Sequence, residues 1–252
     1  MADRQQTRRR RAGKAASAAL LAAIRQSLRA LAEPDKAGPM QAYMKSTMPY
    51  LGVQTPAVRS ACRVVFARYP LDTEDEWRET TLALWRTAGF REERYAAIEL
   101  TGYKTYRTFQ TMAALPLYEE MVTTGAWWDY VDVIAIHRLG GLLRHYRSPM
   151  RARLQAWANS PDIWKRRSAI LCQLSFKRDT DLKLLYECIE ASIDEKEFFL
   201  RKAIGWALRE HSKTDGREVL RYVKQTRNRL SPLSKREALK VLLKNGGVGT
   251  VP

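Results

Sequence analysis

The chain has 252 residues, 45% hydrophobic and 28% charged, which is ample for a sizeable core and excludes a low-complexity or fibrous protein. Lys and Arg number 44 against 27 Asp and Glu, so the formal net charge of +17 favours a polyanionic partner, nucleic acid ahead of an acidic membrane surface. The three cysteines (Cys62, Cys172, Cys188) and three histidines (His137, His145, His211) have no metal-ligand spacing. GxGxxG, P-loop and GxSxG motifs are also absent, so neither a metal nor a cofactor is expected.

In chain order, Arg8 to Arg11 precede a short apolar stretch from Ala15 to Ile24. This resembles a twin-arginine export signal, yet the stretch runs into Arg25 and Arg29 at helical spacing, without a small-residue cleavage site before a domain start. Residues 1–14 are therefore read as a disordered basic tail, 15–246 as the folded domain and 247–252 as a C-terminal tail. No segment is long and apolar enough to span a bilayer, and the unpaired thiols suit a reducing compartment, so a cytoplasmic, nucleoid-associated monomer is expected.

From there on, apolar residues recur at three- and four-residue spacing with few alternating runs. Breakers punctuate the pattern at Pro34, Gly38-Pro39, Pro49 to Gly52, Pro56, Pro70, Gly89, Pro116, Gly125, Pro149, Pro161, Gly216 and Pro232. About a dozen helices result, and the fold class is all-α. Within them lies an internal repeat. Alanines at 61, 97, 135, 169, 203 and 238 precede Cys, Ile or Leu, with gaps of 36, 38, 34, 34 and 35 residues. A period in the thirties with two helices per unit predicts an α-solenoid of about six HEAT-like repeats, with a basic concave face.

Measured from the repeat alanines, Trp128 lies at minus seven, Asp132 at minus three, Trp206 at plus three and Arg209 at plus six. These offsets advance by three or four, so they share about one helical stripe, with Arg167 beside it. Trp128, Arg167 and Trp206 are 39 residues apart in turn. A packing role for the tryptophans, a helix-start role for Asp132 and a solvated Arg167 remain open on spacing alone.

Several longer strings point further. Tyr43-Met44-Lys45, Leu51-Gly52-Val53-Gln54-Thr55-Pro56, Trp127 through Asp132, Ile163-Trp164 through Ile170-Leu171, Glu197-Phe198-Phe199, Lys202 through Glu210 and Pro232 through Ala238 occur in that order. Together they resemble the AlkD-type DNA alkylation-repair glycosylases from about Pro39 to Lys244. The resemblance implies a HEAT-like solenoid holding duplex DNA that contains alkylated purines. It implies a catalytic carboxylate at Asp132, sugar-contacting indoles at Trp128 and Trp206, and a DNA-contacting Arg167. Tyr43, Gln54, Thr55, Arg59 and Arg209 are further candidate DNA contacts by the same matching.

The implied activity is hydrolysis of the N-glycosidic bond of cationic N3- or N7-alkylated purines such as 3-methyladenine and 7-methylguanine. It would proceed without flipping the base. Some relatives resemble self-resistance enzymes of antibiotic producers, which excise bulky adenine adducts of the yatakemycin type. The competing readings are a non-catalytic helical-repeat scaffold for nucleic acid and a protein adaptor, the commonest use of such repeats. Asp132→Asn leaves every activity of a scaffold unchanged, and an adaptor shows no steep salt dependence on DNA.

Overall fold

The structure, a computed structural model, describes residues 17–244; the expected tails at 1–14 and 247–252 lie outside them. Among the described residues every regular element is a helix and none is a strand, as the periodicity predicts. The chain falls into two compact units divided between Leu117 and Tyr118.

The first unit opens with α1 (17–30), whose Leu20, Ile24 and Leu28 are buried at four-residue intervals. Arg25 on this helix reaches Glu93 at 3.1 Å and Thr87 Oγ1 at 2.6 Å, so the apolar stretch after the Arg run is an amphipathic helix docked by its own cation. Then come α2 (Pro34–Met44), α3 (Thr55–Arg68), α4 (Glu74–Arg86) and α5 (Arg91–Thr101), with α3 and α4 both packing on α5. The start of α4 is set by Thr73, whose hydroxyl accepts from the Glu76 amide, and by Glu74, Asp75 and Glu76 in the first turn, where acids complement the helix dipole.

One expected break is absent. Gly38-Pro39 lies inside α2, which continues to Met44. The helix is exposed from Pro34 through Lys36 and again at Gly38 and Pro39, so water can satisfy the carbonyl that Pro39 leaves without a donor.

The link from α2 to α3 is fixed by one buried carboxylate. Glu92, fully buried on α5, accepts from the amides of Leu51 (3.0 Å), Gly52 (3.0 Å) and Val53 (3.1 Å). Gly52 has φ +86°, and a Cβ there would lie 2.0 Å from the Glu33 carbonyl oxygen, so only glycine fits. Glu92→Gln keeps the shape but puts an amide N–H₂ in place of one accepting oxygen, so at least one of the three hydrogen bonds is lost and the rest lose their charge. It should lower unfolding stability by about 2 kcal/mol, read as a shift of the urea midpoint with an unchanged slope.

After α6 (Leu115–Gly125), the second unit runs through α7 (Trp128–Val133), a wider π-type turn (Ile134–Leu139), α8 (Gly140–His145) and α9 (Arg147–Ala158). It closes with α10 (Ile163–Leu171), α11 (Leu182–Glu190), α12 (Phe198–Ser212), α13 (Gly216–Gln225) and α14 (Pro232–Lys244). Successive packing pairs are α7 on α10, α10 on α12 and α12 on α14, while α9 packs on α10 and α11, and α13 on α12 and α14.

The repeat alanines fall one each on α3, α5, the π-type turn, α10, α12 and α14, and all but Ala61 are buried. Small side chains at these places let neighbouring helices approach closely. That is the physical content of the period.

Candidate active site

The residues singled out on the stripe, Trp128, Asp132, Arg167, Trp206 and Arg209, all belong to the second unit. Trp128 opens α7 and Asp132 stands four residues later, so both side chains project from one face about one turn apart. The preceding Ala126 has φ 44° and Trp127 is extended, which ends α6 and sets the entry angle of α7. Trp127 turns inward. Its ring sits 6.1 Å from Trp164 and 5.3 Å from Phe199, in an edge-on contact with the latter. This aromatic cluster ties the start of α7 to α10 and α12, and Trp127 and the adjacent Trp128 are both half-buried. The contacts among Trp127, Trp164 and Phe199 are not among those that stripe counting reveals.

Helix α10 begins at Asp162, whose Oδ1 accepts from the amides of Trp164 (2.8 Å) and Lys165 (3.0 Å). Its Arg167 is buried, with the side chain only 4% exposed. Nε donates to Asp132 Oδ1 at 2.7 Å and Nη2 to Oδ2 at 2.8 Å, a two-pronged pair. Nη1 donates to the Phe199 carbonyl oxygen at 2.5 Å. Arg167 thus links α7, α10 and α12. The sequence reading expects a DNA contact at Arg167; in the structure its guanidinium is bonded to Asp132 and to the Phe199 carbonyl oxygen, so it aligns the carboxylate.

Asp132 itself is more enclosed than a groove-lining residue would be, yet its side chain keeps 12% exposure. Burial raises its pKa above the ordinary aspartate value of 3.8, and the two hydrogen bonds and charge of Arg167 pull it part of the way back down. Asp129, one turn earlier, adds a small upward push. Each carboxylate oxygen retains accepting capacity beyond its bond to Arg167.

Trp206 is half-buried on α12, which packs on α10. It lies four residues after Lys202 and three before Arg209, on one stripe. Arg209 Nη1 reaches Glu237 Oε2 at 2.6 Å, and Lys202 Nζ reaches Glu237 Oε1 at 2.9 Å. Lys202 and Glu237 are absent from the sequence-derived candidates. The 35-residue step from Lys202 to Glu237 is close to the repeat period and was the available signal.

The remaining candidates belong to the first unit. Tyr43 is 78% exposed near the end of α2, while Gln54 and Thr55 are exposed at the start of α3. Arg59, one turn further, is exposed and paired with Glu99 at 2.7 Å. Four of the sequence candidates are therefore solvent-facing on the loop and helix ends that Glu92 fixes. Among the described residues, no cluster of His, Cys, Asp and Glu could hold a metal ion, and no helix is long and apolar enough to cross a membrane.

The sequence profile of the DNA alkylation repair enzyme family matches residues 24–242. Among solved structures, the chain is similar to a predicted DNA alkylation repair enzyme from Enterococcus faecalis, with a TM-score of 0.69 and 28% identity. The match covers 84% of this chain and 97% of that one. No curated protein sequence matches significantly. With the profile spanning nearly all the described residues and the HEAT-like, all-helical architecture of that family in place, the chain belongs to the DNA alkylation repair enzymes.

Proposed function

We propose that the chain is a monofunctional DNA glycosylase, hydrolysing the N-glycosidic bond of cationic N3- or N7-alkylated purines in duplex DNA. The observation that carries the proposal is the Asp132–Arg167 pair, a partly exposed carboxylate aligned by a buried guanidinium one helical turn from Trp128.

The chemistry suits these residues. An alkylated purine already carries positive charge, so it leaves without a proton from a general acid, and one carboxylate suffices where glycoside hydrolases commonly use two. As the base departs, positive charge develops on the deoxyribose. Ionised Asp132 stabilises that charge and orients a water for attack at the anomeric carbon. Trp128 and Trp206 offer indole faces to the cationic sugar, contributing about 0.5–2 kcal/mol per contact. Arg167 keeps Asp132 charged and oriented, and Arg209, Arg59, Tyr43, Gln54 and Thr55 hold the DNA backbone.

Recognition from the backbone side, with the base left stacked, needs no closed base pocket and suits bulky N3-adenine adducts as well as methyl groups. Incubation with duplexes bearing either lesion, followed by detection of free base, tests both parts. Release of methylpurine with inertness toward the bulky adduct ends the broader specificity; binding without release of any base leaves a scaffold.

The acid limb of the activity has a defined sign. Asp132 must be ionised, so base release falls as pH drops through its pKa, which burial holds above 3.8. A pH–rate profile should therefore bend above the range of an exposed aspartate. An acid limb at or below the ordinary value would contradict the assignment.

A further inference from the structure

Glu237 projects from α14 toward α12. Its side chain is 10% exposed, and its two oxygens are divided between two cations of α12: Oε1 takes Lys202 Nζ at 2.9 Å and Oε2 takes Arg209 Nη1 at 2.6 Å. Lys202 and Arg209 are seven residues apart, two turns on one face, with half-buried Trp206 between them. The acid draws both cationic heads together over the stripe that holds the indole.

The close approach of the two helices is built for this contact. A Cβ at Gly205 would lie 2.6 Å from Glu237 Cβ and 3.0 Å from the Ser234 carbonyl oxygen. Glycine immediately before Trp206 therefore brings α14 close enough for Glu237 to reach both cations. Ser234, one turn before Glu237, donates its hydroxyl to the Arg201 carbonyl at 2.9 Å and fixes the register of the pair. Lys202, and to a smaller extent Arg209, hold the Glu237 carboxyl below the usual range, so it is charged at neutral pH.

A carboxylate and a phosphodiester present the same face to such cations, two anionic oxygens on one atom. We infer that Lys202 and Arg209 form a two-cation clamp for one backbone phosphate of duplex DNA beside Trp206, and that Glu237 occupies it in the free protein as an internal stand-in. Binding exchanges one anion for another. Glu237 is thus a positioning residue. It keeps the two cations converged before DNA arrives and makes undamaged duplex compete against an internal ligand, so it limits non-specific affinity. The inference rests on duplex DNA being the partner of this face and is independent of base release.

The test uses the full chain and an undamaged duplex, with anisotropy titrations over a range of salt. Glu237→Gln removes a negative charge from the clamp and should tighten binding roughly three- to tenfold at low salt. The Lys202→Gln and Arg209→Gln double substitution should flatten the plot of log affinity against log salt by about 0.9, the contribution of one phosphate, and Glu237→Gln added to it should change affinity no further. A purely structural acid predicts the reverse: E237Q loses thermal stability and binds duplex no more tightly.

Unchanged or weakened binding by folded E237Q would overturn the clamp. Should E237Q fail to fold, single Lys202→Gln decides alone, because Lys202 is 40% exposed and its loss leaves Glu237 paired with Arg209. Weaker duplex binding at low salt supports the inference and unaltered binding rejects it. Absence of base release from damaged DNA would sink the glycosylase reading without moving either result.

Discussion

Replacing Asp132 by Asn should lower base release from methylated duplex by up to about a thousandfold while duplex affinity is kept or slightly raised. The magnitude follows from charge. A unit pair at about 4 Å is worth on the order of 4 kcal/mol at an effective dielectric near 20, equivalent to roughly a thousandfold in rate. That is a ceiling, because the cationic lesion is attracted to the carboxylate before reaction as well, and only the difference accelerates. Affinity is spared because the change removes a negative charge from a surface that meets phosphates. Asn also presents an amide N–H₂ where Arg167 donates, so one of its two bonds to Asp132 is lost. A melting curve beside the rate measurement separates that structural cost from the catalytic one. Unimpaired release by a folded Asn variant would assign the chemistry elsewhere.

The second large effect is expected at Arg167. Substitution by Met keeps much of the side-chain volume but strips the buried Asp132 carboxylate of its partner and takes a second donor from the Phe199 carbonyl. Breaking a buried pair from one side costs about 3–5 kcal/mol, so unfolding stability should fall by that order in urea titration. The same change removes the charge that lowers the pKa of Asp132, so the acid limb of any residual activity should shift to higher pH than in wild type. Were Arg167 instead a phosphate contact alone, Met would leave stability and the pH profile alone and flatten the salt dependence by about 0.9. The two roles therefore give opposite patterns in three measurements.

Much of this architecture is legible in the chain, and the reasons differ by element. The alanines at 97, 135, 169, 203 and 238 announce close helix contacts because a small side chain is needed wherever two helices nearly touch, and each is buried. The Trp128–Asp132 relation follows from helical geometry alone, since four residues make about one turn. Arg167 is different: periodicity places it beside the stripe but does not say whether its guanidinium turns to solvent or to Asp132. That choice is made by the enclosing cluster of Trp127, Trp164 and Phe199, whose contacts span three helices. Glu237 was missed for the same reason, because its meaning depends on how closely α14 approaches Gly205. The helix through Pro39 was misread because local propensity ignores solvation: on an exposed helix the orphaned carbonyl has water to turn to.

The π-type turn at Ile134–Leu139 lies directly between Asp132 and α8. Such a turn holds one residue more than an ordinary one, so it acts as a phase setter for everything downstream on the same continuous rod. Tightening that turn into ordinary α-helix with every residue kept would rotate α8 by about 100° relative to Trp128 and Asp132. Gly140, where even a Cβ would lie 2.5 Å from the Cys172 carbonyl oxygen, would be swung away and a bulkier neighbour driven against α10. Aligning the carboxylate with Arg167 and seating the next helix against its neighbour are thus two demands of different angular pitch, reconciled by one surplus residue.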